Sequence, residues 1–249
     1  MHFGVILPNF GSESSPGRIR AFAEAAEGLG FDSVWVTEHI VVGSEAVDPY
    51  GRVYDPLVTL GWIAGWTERV GLGTSIVLVP LHNPFHLAKE VATLQELSGG
   101  RVTLGIGVGW HRDEYEFMGV PFEGRGRRAD DAIGLMRALW QGESSFTGRY
   151  WSYDNATAEP HPDPQPEIWV GGSSERAVRR ARALGDAWHP SRGSDAAHVR
   201  EVKQQHPDLR VIPRTSPQQV DAMLDAGAEG AVVTFPDEAT MAEFARRHL

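Results

Sequence analysis

The chain has 249 residues, 41% hydrophobic and 22% charged, with a net charge of −10. That composition is globular, and its acidity, with no basic stripe, argues against nucleic acid or anionic membranes as partners. The absence of cysteine excludes disulfides, a thiol nucleophile and thiolate metal ligands.

FGVILP (3–8) is a short apolar run ended by Pro8 and reads as the first strand. The N-terminal MHFGVILPNF lacks the basic flank of a signal peptide, and no apolar run reaches membrane-spanning length, so a soluble cytoplasmic protein is expected. GRIRAFAEAAEGL (17–29) places Ile19, Phe22, Ala23, Ala26 and Leu29 at helical spacing, and Gly30 follows as a stop. SVWV (33–36) is a second strand, PLVTLGWIAGW (56–66) an apolar helix, and RVGLGTSIVLVP (69–80) a third strand. PFHLAKEVATLQELS (84–98) is a helix, RVTLGIGV (101–108) a fourth strand, and helical stretches follow around 111–118 and 125–141. Residues 142–166 are rich in Gly, Pro and aromatics and read as an excursion carrying a small hairpin.

The alternation then resumes. EIWVGG (167–172), DAWHP (186–190), LRVIP (209–213) and GAVVTF (230–235) are the fifth to eighth strands, each followed by a helix. Eight strand–helix pairs predict one (β/α)8 barrel domain over residues 1–249, with a short excursion between strands 4 and 5; an open doubly wound sheet is the competing arrangement. Continuous apolar strands such as SIVLV suit a parallel sheet covered on both faces.

In such a barrel the site lies at the carboxyl ends of the strands. Those ends carry Asn9, Glu38-His39, Ser75, Gly107-Val108-Gly109-Trp110, Gly171-Gly172-Ser173-Ser174, Trp188-His189, Arg214 and Thr234-Phe235. Glycines there let a flat ligand approach the backbone, and aromatics suit an extended ring system. In WVGGSSERA (169–177) a strand, a Gly-Gly-Ser-Ser turn and a helix start in succession. That turn reads either as a phosphate site or as an ordinary N-cap. His39 is either a structural histidine or a proton carrier beside the ligand. Metal chemistry has little support: Pro84 separates His82 from His86, and the acids after His111 are ordinary for a helix start. No cluster of basic residues announces a phosphorylated or sulfonated substrate, although Arg192 and Arg214 could each meet an anion. Leu57, Leu60, Trp62, Ile63 and Trp66 cover more than one stripe of the 56–66 helix, which points to a homodimer face.

GFDSVWVTEHI, the block VGLGTSIVLVPLHNPFHLAKEVATLQELSGGRVTLGIGVGW, and PEIWVGGSSERAVRRARALGDAWHP resemble the bacterial luciferase-like superfamily. Within it the likeness is to oxidoreductases using the deazaflavin coenzyme F420. The resemblance implies a (β/α)8 barrel holding coenzyme F420, or FMN as the alternative, and a small-molecule substrate. It implies proton transfer at Glu38 and His39, and cofactor contacts at Ser75, Ile76, Gly107, Val108, Gly109 and Trp110. It implies a phosphate turn at Gly171, Gly172 and Ser173. Many members have a non-proline cis peptide at the position of Ser75-Ile76. Some F420 dehydrogenases have an acidic glutamate where this chain has Trp110, which argues against sugar-phosphate chemistry here. The implied activity is hydride transfer between F420 and a small organic molecule. The alternatives are an FMN-dependent monooxygenase using reduced flavin and O2, and a flavin- or deazaflavin-binding protein without turnover.

Overall fold

The computed structural model describes residues 1–191 and 194–249, so Arg192 lies outside the described residues. In chain order the strands are β1 (His2–Ile6), β2 (Ser33–Val36), β3 (Gly71–Thr74), β4 (Val77–Leu78), β5 (Val102–Gly107), β6 (Phe146–Thr147), β7 (Ser152–Tyr153), β8 (Glu167–Gly171), β9 (Ala187–His189), β10 (Arg214–Thr215) and β11 (Gly230–Thr234). The helices are α1 (Pro16–Leu29), α2 (Val47–Tyr50), α3 (Pro56–Ala64), α4 (Pro84–Leu97), α5 (Arg112–Phe117), α6 (Arg125–Trp140), α7 (Glu175–Leu184), α8 (Ala196–Gln205), α9 (Val220–Asp225) and α10 (Glu238–His248). Local chemistry sets their starts. Ser15, Asp55, Asn83, Ser174, Asp195 and Asp237 each accept a first-turn N–H as N-cap, worth about 1 kcal/mol apiece.

The main sheet runs β10-β11-β1-β2-β3-β5-β8-β9, all parallel, with β4 also pairing β5. Its two edges meet. Trp188 bridges Val211, its N–H donates to Arg210 O at 2.8 Å, and Ile212 N–H donates to Trp188 O at 3.0 Å. The result is the expected (β/α)8 barrel, with β6 and β7 forming the small antiparallel hairpin of the excursion.

Two expectations needed correction. The third strand is not continuous over 69–80: it stops at Thr74 and restarts at Val77, and the Ser75–Ile76 peptide between them is cis. The seventh strand is not 209–213. That segment has only the Val211 bridge, and the ladder runs at Arg214–Thr215, because Pro213 has no N–H to donate.

The barrel interior is filled by a column of rings. Trp35 and Trp169 are fully enclosed and stack with centroids 4.7 Å apart, and the His189 ring lies 5.3 Å from Trp35. Flanking strands make room for Trp35: a Cβ on Gly4 would stand 2.4 Å from its Nε1, and one on Gly73 would stand 2.3 Å from its ring. Outside the sheet, the helices bury a second apolar layer that includes Phe22, Leu60, Leu87, Ile133 and Val199.

Candidate active site at the barrel mouth

The carboxyl ends of the strands open into a cavity of about 1180 Å³. Glu38, His39, Ser75, Ile76, Gly107, Val108, Gly109, Trp110, Gly171 and Gly172 all line it. Ser173 does not. Its hydroxyl is hydrogen bonded to Ser191 (2.8 Å) and Ser194 (2.7 Å), and Ser174, Glu175 and Arg176 form that wall instead.

The glycines also act differently from expectation. A Cβ on Gly107 would lie 2.1 Å from Ile76 Cδ1, and one on Gly171 would lie 2.8 Å from Ile76 Cγ2. The space they leave is filled by Ile76, so these two glycines seat an apolar wedge in the cavity floor. Gly109 and Gly172 are required by their own backbones, at φ 64° and 99°.

Glu38 and His39 part company at the end of β2, as successive strand residues do. The Glu38 carboxylate accepts the Leu78 N–H at 2.6 Å and contacts His82 Nε2 at 3.0 Å. It thereby holds β4 and the following turn in place. Burial by itself would lower His82, but the Glu38 hydrogen bond and charge outweigh it and raise the imidazole above its ordinary value. Glu38, expected as a proton-transfer group, is thus engaged within the wall.

The carboxylate that serves His39 is Glu114, on α5. Its Oε2 lies 3.0 Å from His39 Nδ1, and its Oε1 accepts the Ile40 N–H at 2.6 Å. A carboxylate only accepts, so Nδ1 carries the proton and Nε2 has the lone pair. Among the described residues nothing bonds Nε2. Tyr50 packs against the ring at 4.3 Å, and Trp110 meets it edge-on at 6.0 Å.

A third imidazole closes the floor. His189 Nδ1 donates to Ile212 O at 2.6 Å, so its Nε2 accepts from the Ser75 hydroxyl at 2.9 Å. Desolvation pulls this buried ring down to about 4, so it is neutral at pH 7. Arg214 donates to Ser75 O (2.9 Å) and Thr37 Oγ1 (3.0 Å), binding the ends of β2 and β3 together. Asn9 adds to this clamp through Thr37 O and Tyr54 O.

Glu45, His111 and Asp113 bring three potential metal-ligating atoms within 4.8 Å of one another. His111 Nε2 accepts the Gly43 N–H at 2.9 Å, so its Nδ1 is protonated and faces Glu45 as a donor. Binding a cation there would turn two donors, Nε2–H and Gly43 N–H, against each other.

Sequence reasoning missed Glu114, which had been read as an ordinary helix-start acid, and Tyr50, in an unpredicted turn. It also missed the arginines of α6 and α7 that line the same cavity: Arg125, Arg127, Arg176, Arg179 and Arg180. A signal for these was present, since RGRR (125–128) and ERAVRRAR (175–182) concentrate arginine in a chain with two lysines.

Comparisons agree with the geometry. An uncharacterized protein of Mycobacterium tuberculosis (strain H37Rv) is 34% identical over 204 residues, covering 76% of this chain and 71% of its own. An F420-dependent glucose-6-phosphate dehydrogenase of Kineococcus radiotolerans is 37% identical over 179 residues, covering 70% of this chain; the match spans 52% of that relative, about half its length. In fold, an F420-dependent secondary alcohol dehydrogenase in complex with an F420-acetone adduct superposes with a TM-score of 0.84 at 16% identity, over 100% of this chain and 98% of the other. The luciferase-like monooxygenase family profile matches residues 1–206, and the chain belongs to that family.

Proposed function

We propose that this protein is an F420-dependent oxidoreductase that moves a hydride between the deazaflavin and a small organic substrate. The observation that carries the reading is the His39–Glu114 pair. It presents one unoccupied imidazole nitrogen to a cavity whose floor carries the Ile76 wedge. The residues fit a ring cofactor. Ile76, seated in the notches left by Gly107 and Gly171, forms a wedge under the cavity. Leu78 and Val108 extend the apolar lining, and α7 begins at the far wall. When bound, F420 would supply the hydride-accepting or hydride-donating ring.

The chain's own part is proton handling and orientation. His39 Nε2 takes the proton from a substrate hydroxyl as it is oxidised, or returns one to a carbonyl as it is reduced. Glu114 fixes the tautomer and stabilises the imidazolium. Ser75, its proton committed to His189, offers lone pairs to the cavity. Gly172 and the start of α7 would receive the cofactor phosphate, where helix N–H groups and the dipole favour an anion. Relatives named as F420-dependent support the choice of cofactor. A monooxygenase is the second reading, supported by the description of the family itself. We also propose a cytoplasmic homodimer; of the α3 face read from the sequence, Leu60 and Ile63 are buried in the core and Leu57 and Trp66 pack against it, which leaves Trp62, with neighbouring Val58, exposed for an interface; among the described residues no helix is long and apolar enough to cross a membrane.

Parallel equilibrium titrations with F420 and FMN test the reading. F420 is expected to bind more tightly; tighter FMN binding reverses the assignment in favour of a monooxygenase.

A further inference from the structure

Three rings crowd one corner of the barrel mouth. The Tyr50 ring lies 4.3 Å from the His39 ring, Trp110 meets His39 edge-on at 6.0 Å, and Tyr50 and Trp110 stand 6.5 Å apart, inclined at 57°. All three line the cavity. The corner is braced from behind. Phe10 stacks on Tyr50 at 5.9 Å, and Trp110 packs on His111 at 5.1 Å. The chain between β2 and α3, which carries His39 and Tyr50, is tied down by Ile40 N–H to Glu114 and by Gly43 N–H to His111.

Two observations mark this corner as a place for a ligand. The His39 side chain is only 6% exposed, yet nothing among the described residues bonds its Nε2. A buried polar atom is ordinarily hydrogen bonded, so this nitrogen is set to receive a partner. Trp110, by contrast, is 59% exposed although it lies against two rings. Apolar ring surface left uncovered in a cavity wall is surface that a ligand covers.

Electrostatics narrows what that ligand is. Glu114, 1% exposed, stands directly behind His39, so an anion placed here would meet a buried like charge. A cation would stand beside an imidazole that becomes positive whenever it takes a proton. An uncharged group remains, and two rings inclined to each other suit an aryl ring, which packs its face on one and its edge on the other. The corner is also apart from the place argued for the cofactor. In the barrel β3 and β5 separate β2, which ends before His39, from β8. The Ile76 wedge sits between Gly107 of β5 and Gly171 of β8, and α7 starts just after β8. A ring cofactor over the wedge, its phosphate toward α7, leaves the corner to the second reactant.

We infer that Tyr50 and Trp110 form a substrate subsite for an aryl group, so that the substrate is an uncharged aryl alcohol or the matching aryl ketone, its oxygen at His39 Nε2. This rests on the deazaflavin oxidoreductase reading of the cavity. It moves Trp110 from the cofactor contacts that the resemblance implied to the substrate.

Equilibrium titrations of protein loaded with oxidised F420 test it; that form of the cofactor cannot reduce a ketone, so binding is read without turnover. The probes are acetophenone, cyclohexyl methyl ketone, acetone and tetramethylammonium. Acetophenone is expected to bind about tenfold more tightly than acetone and about threefold more tightly than the cyclohexyl ketone, the scale of one aromatic contact, and tetramethylammonium more weakly than any of them. In Trp110→Ala the lead over acetone should fall below about threefold, and Trp110→Phe should restore most of it, while F420 affinity changes by less than about twofold in both. Equal binding of the three ketones overturns the subsite. A cyclohexyl ketone that binds as well as acetophenone, or tighter binding of tetramethylammonium, overturns the aryl class. Loss of F420 affinity in Trp110→Ala with the ketone ranking intact returns Trp110 to the cofactor. Failure of wild type to bind F420 at all rejects the deazaflavin reading instead, and the same titrations on the apo protein then test the corner alone.

Discussion

Glu38 and His39 are adjacent in sequence, yet each finds its partner elsewhere in the chain: Glu38 holds His82, and His39 is held by Glu114. Both are acid–imidazole pairs at about 3.0 Å, with carboxylates 1% exposed. They differ in what the imidazole faces. His82 turns its Nε2 to Glu38 and is not in the cavity wall, whereas His39 turns its Nδ1 to Glu114 and lines the cavity. Pair chemistry alone therefore does not mark a catalytic group. What separates the two pairs is the nitrogen left over and the space it sees.

The contrast breaks most sharply at His39. His39→Ala is expected to lower turnover by roughly 10²–10⁴-fold, the span of a lost general acid or base, with cofactor affinity changed far less. Steady-state kinetics beside an F420 titration check it. Unchanged turnover would make this pair as structural as the other.

Glu38 gives the opposite signature. Glu38→Ala leaves the buried Leu78 N–H and the His82 ring without their acceptor. A loss of about 2–4 kcal/mol in unfolding free energy is expected, read by denaturant melts. Turnover per folded molecule should fall much less than in His39→Ala. A loss as large as that of His39→Ala would return Glu38 to the proton-transfer role that the sequence had suggested.

Glu114→Gln sharpens the first pair. The amide oxygen can still accept from His39 Nδ1–H, but the negative charge that stabilises an imidazolium is gone. Turnover is expected to fall about 10–100-fold, less than for His39→Ala, with cofactor affinity unchanged. Undiminished turnover would make Glu114 a scaffold only.

The barrel was legible because its signals are periodic. Apolar strands such as SIVLV and GAVVTF, separated by capped helices, leave few arrangements that bury both sheet faces. His39, Trp110 and Gly172 were legible because strand ends in a barrel converge on one mouth. Glu114 was not. It lies 75 residues from His39, and an acid in the first turn of a helix is ordinary. The filling of the space beside Gly107 was not legible for a related reason: an absent side chain does not say which neighbour fills the gap, and here it is Ile76. Strand 3 could be placed but not its interruption, since nothing in GTSIV separates a continuous strand from two short ones.

The smallest effect lies in the Glu38–His82 pair and appears as pH dependence. Glu38 raises the His82 pKa above its ordinary value of 6.5 in the fold. The folded state therefore holds the proton more firmly than the unfolded chain. The stabilisation is complete below pH 6.5 and is lost as pH rises through the folded value. His189 has the reverse sign. Its pKa falls to about 4 in the fold, so its contribution is complete above pH 6.5 and is lost as pH drops toward 4, by roughly 3 kcal/mol. The two histidines thus act in separate windows, and above pH 6.5 His189 is neutral in both states. Comparing wild type with His82→Gln from pH 6.5 upward isolates the pair. Wild type should lose up to about 1 kcal/mol more than the variant over that range, the size of a partly solvated ion pair. Parallel stability curves for the two proteins would mean that Glu38 holds His82 by geometry alone, with no charge on the imidazole.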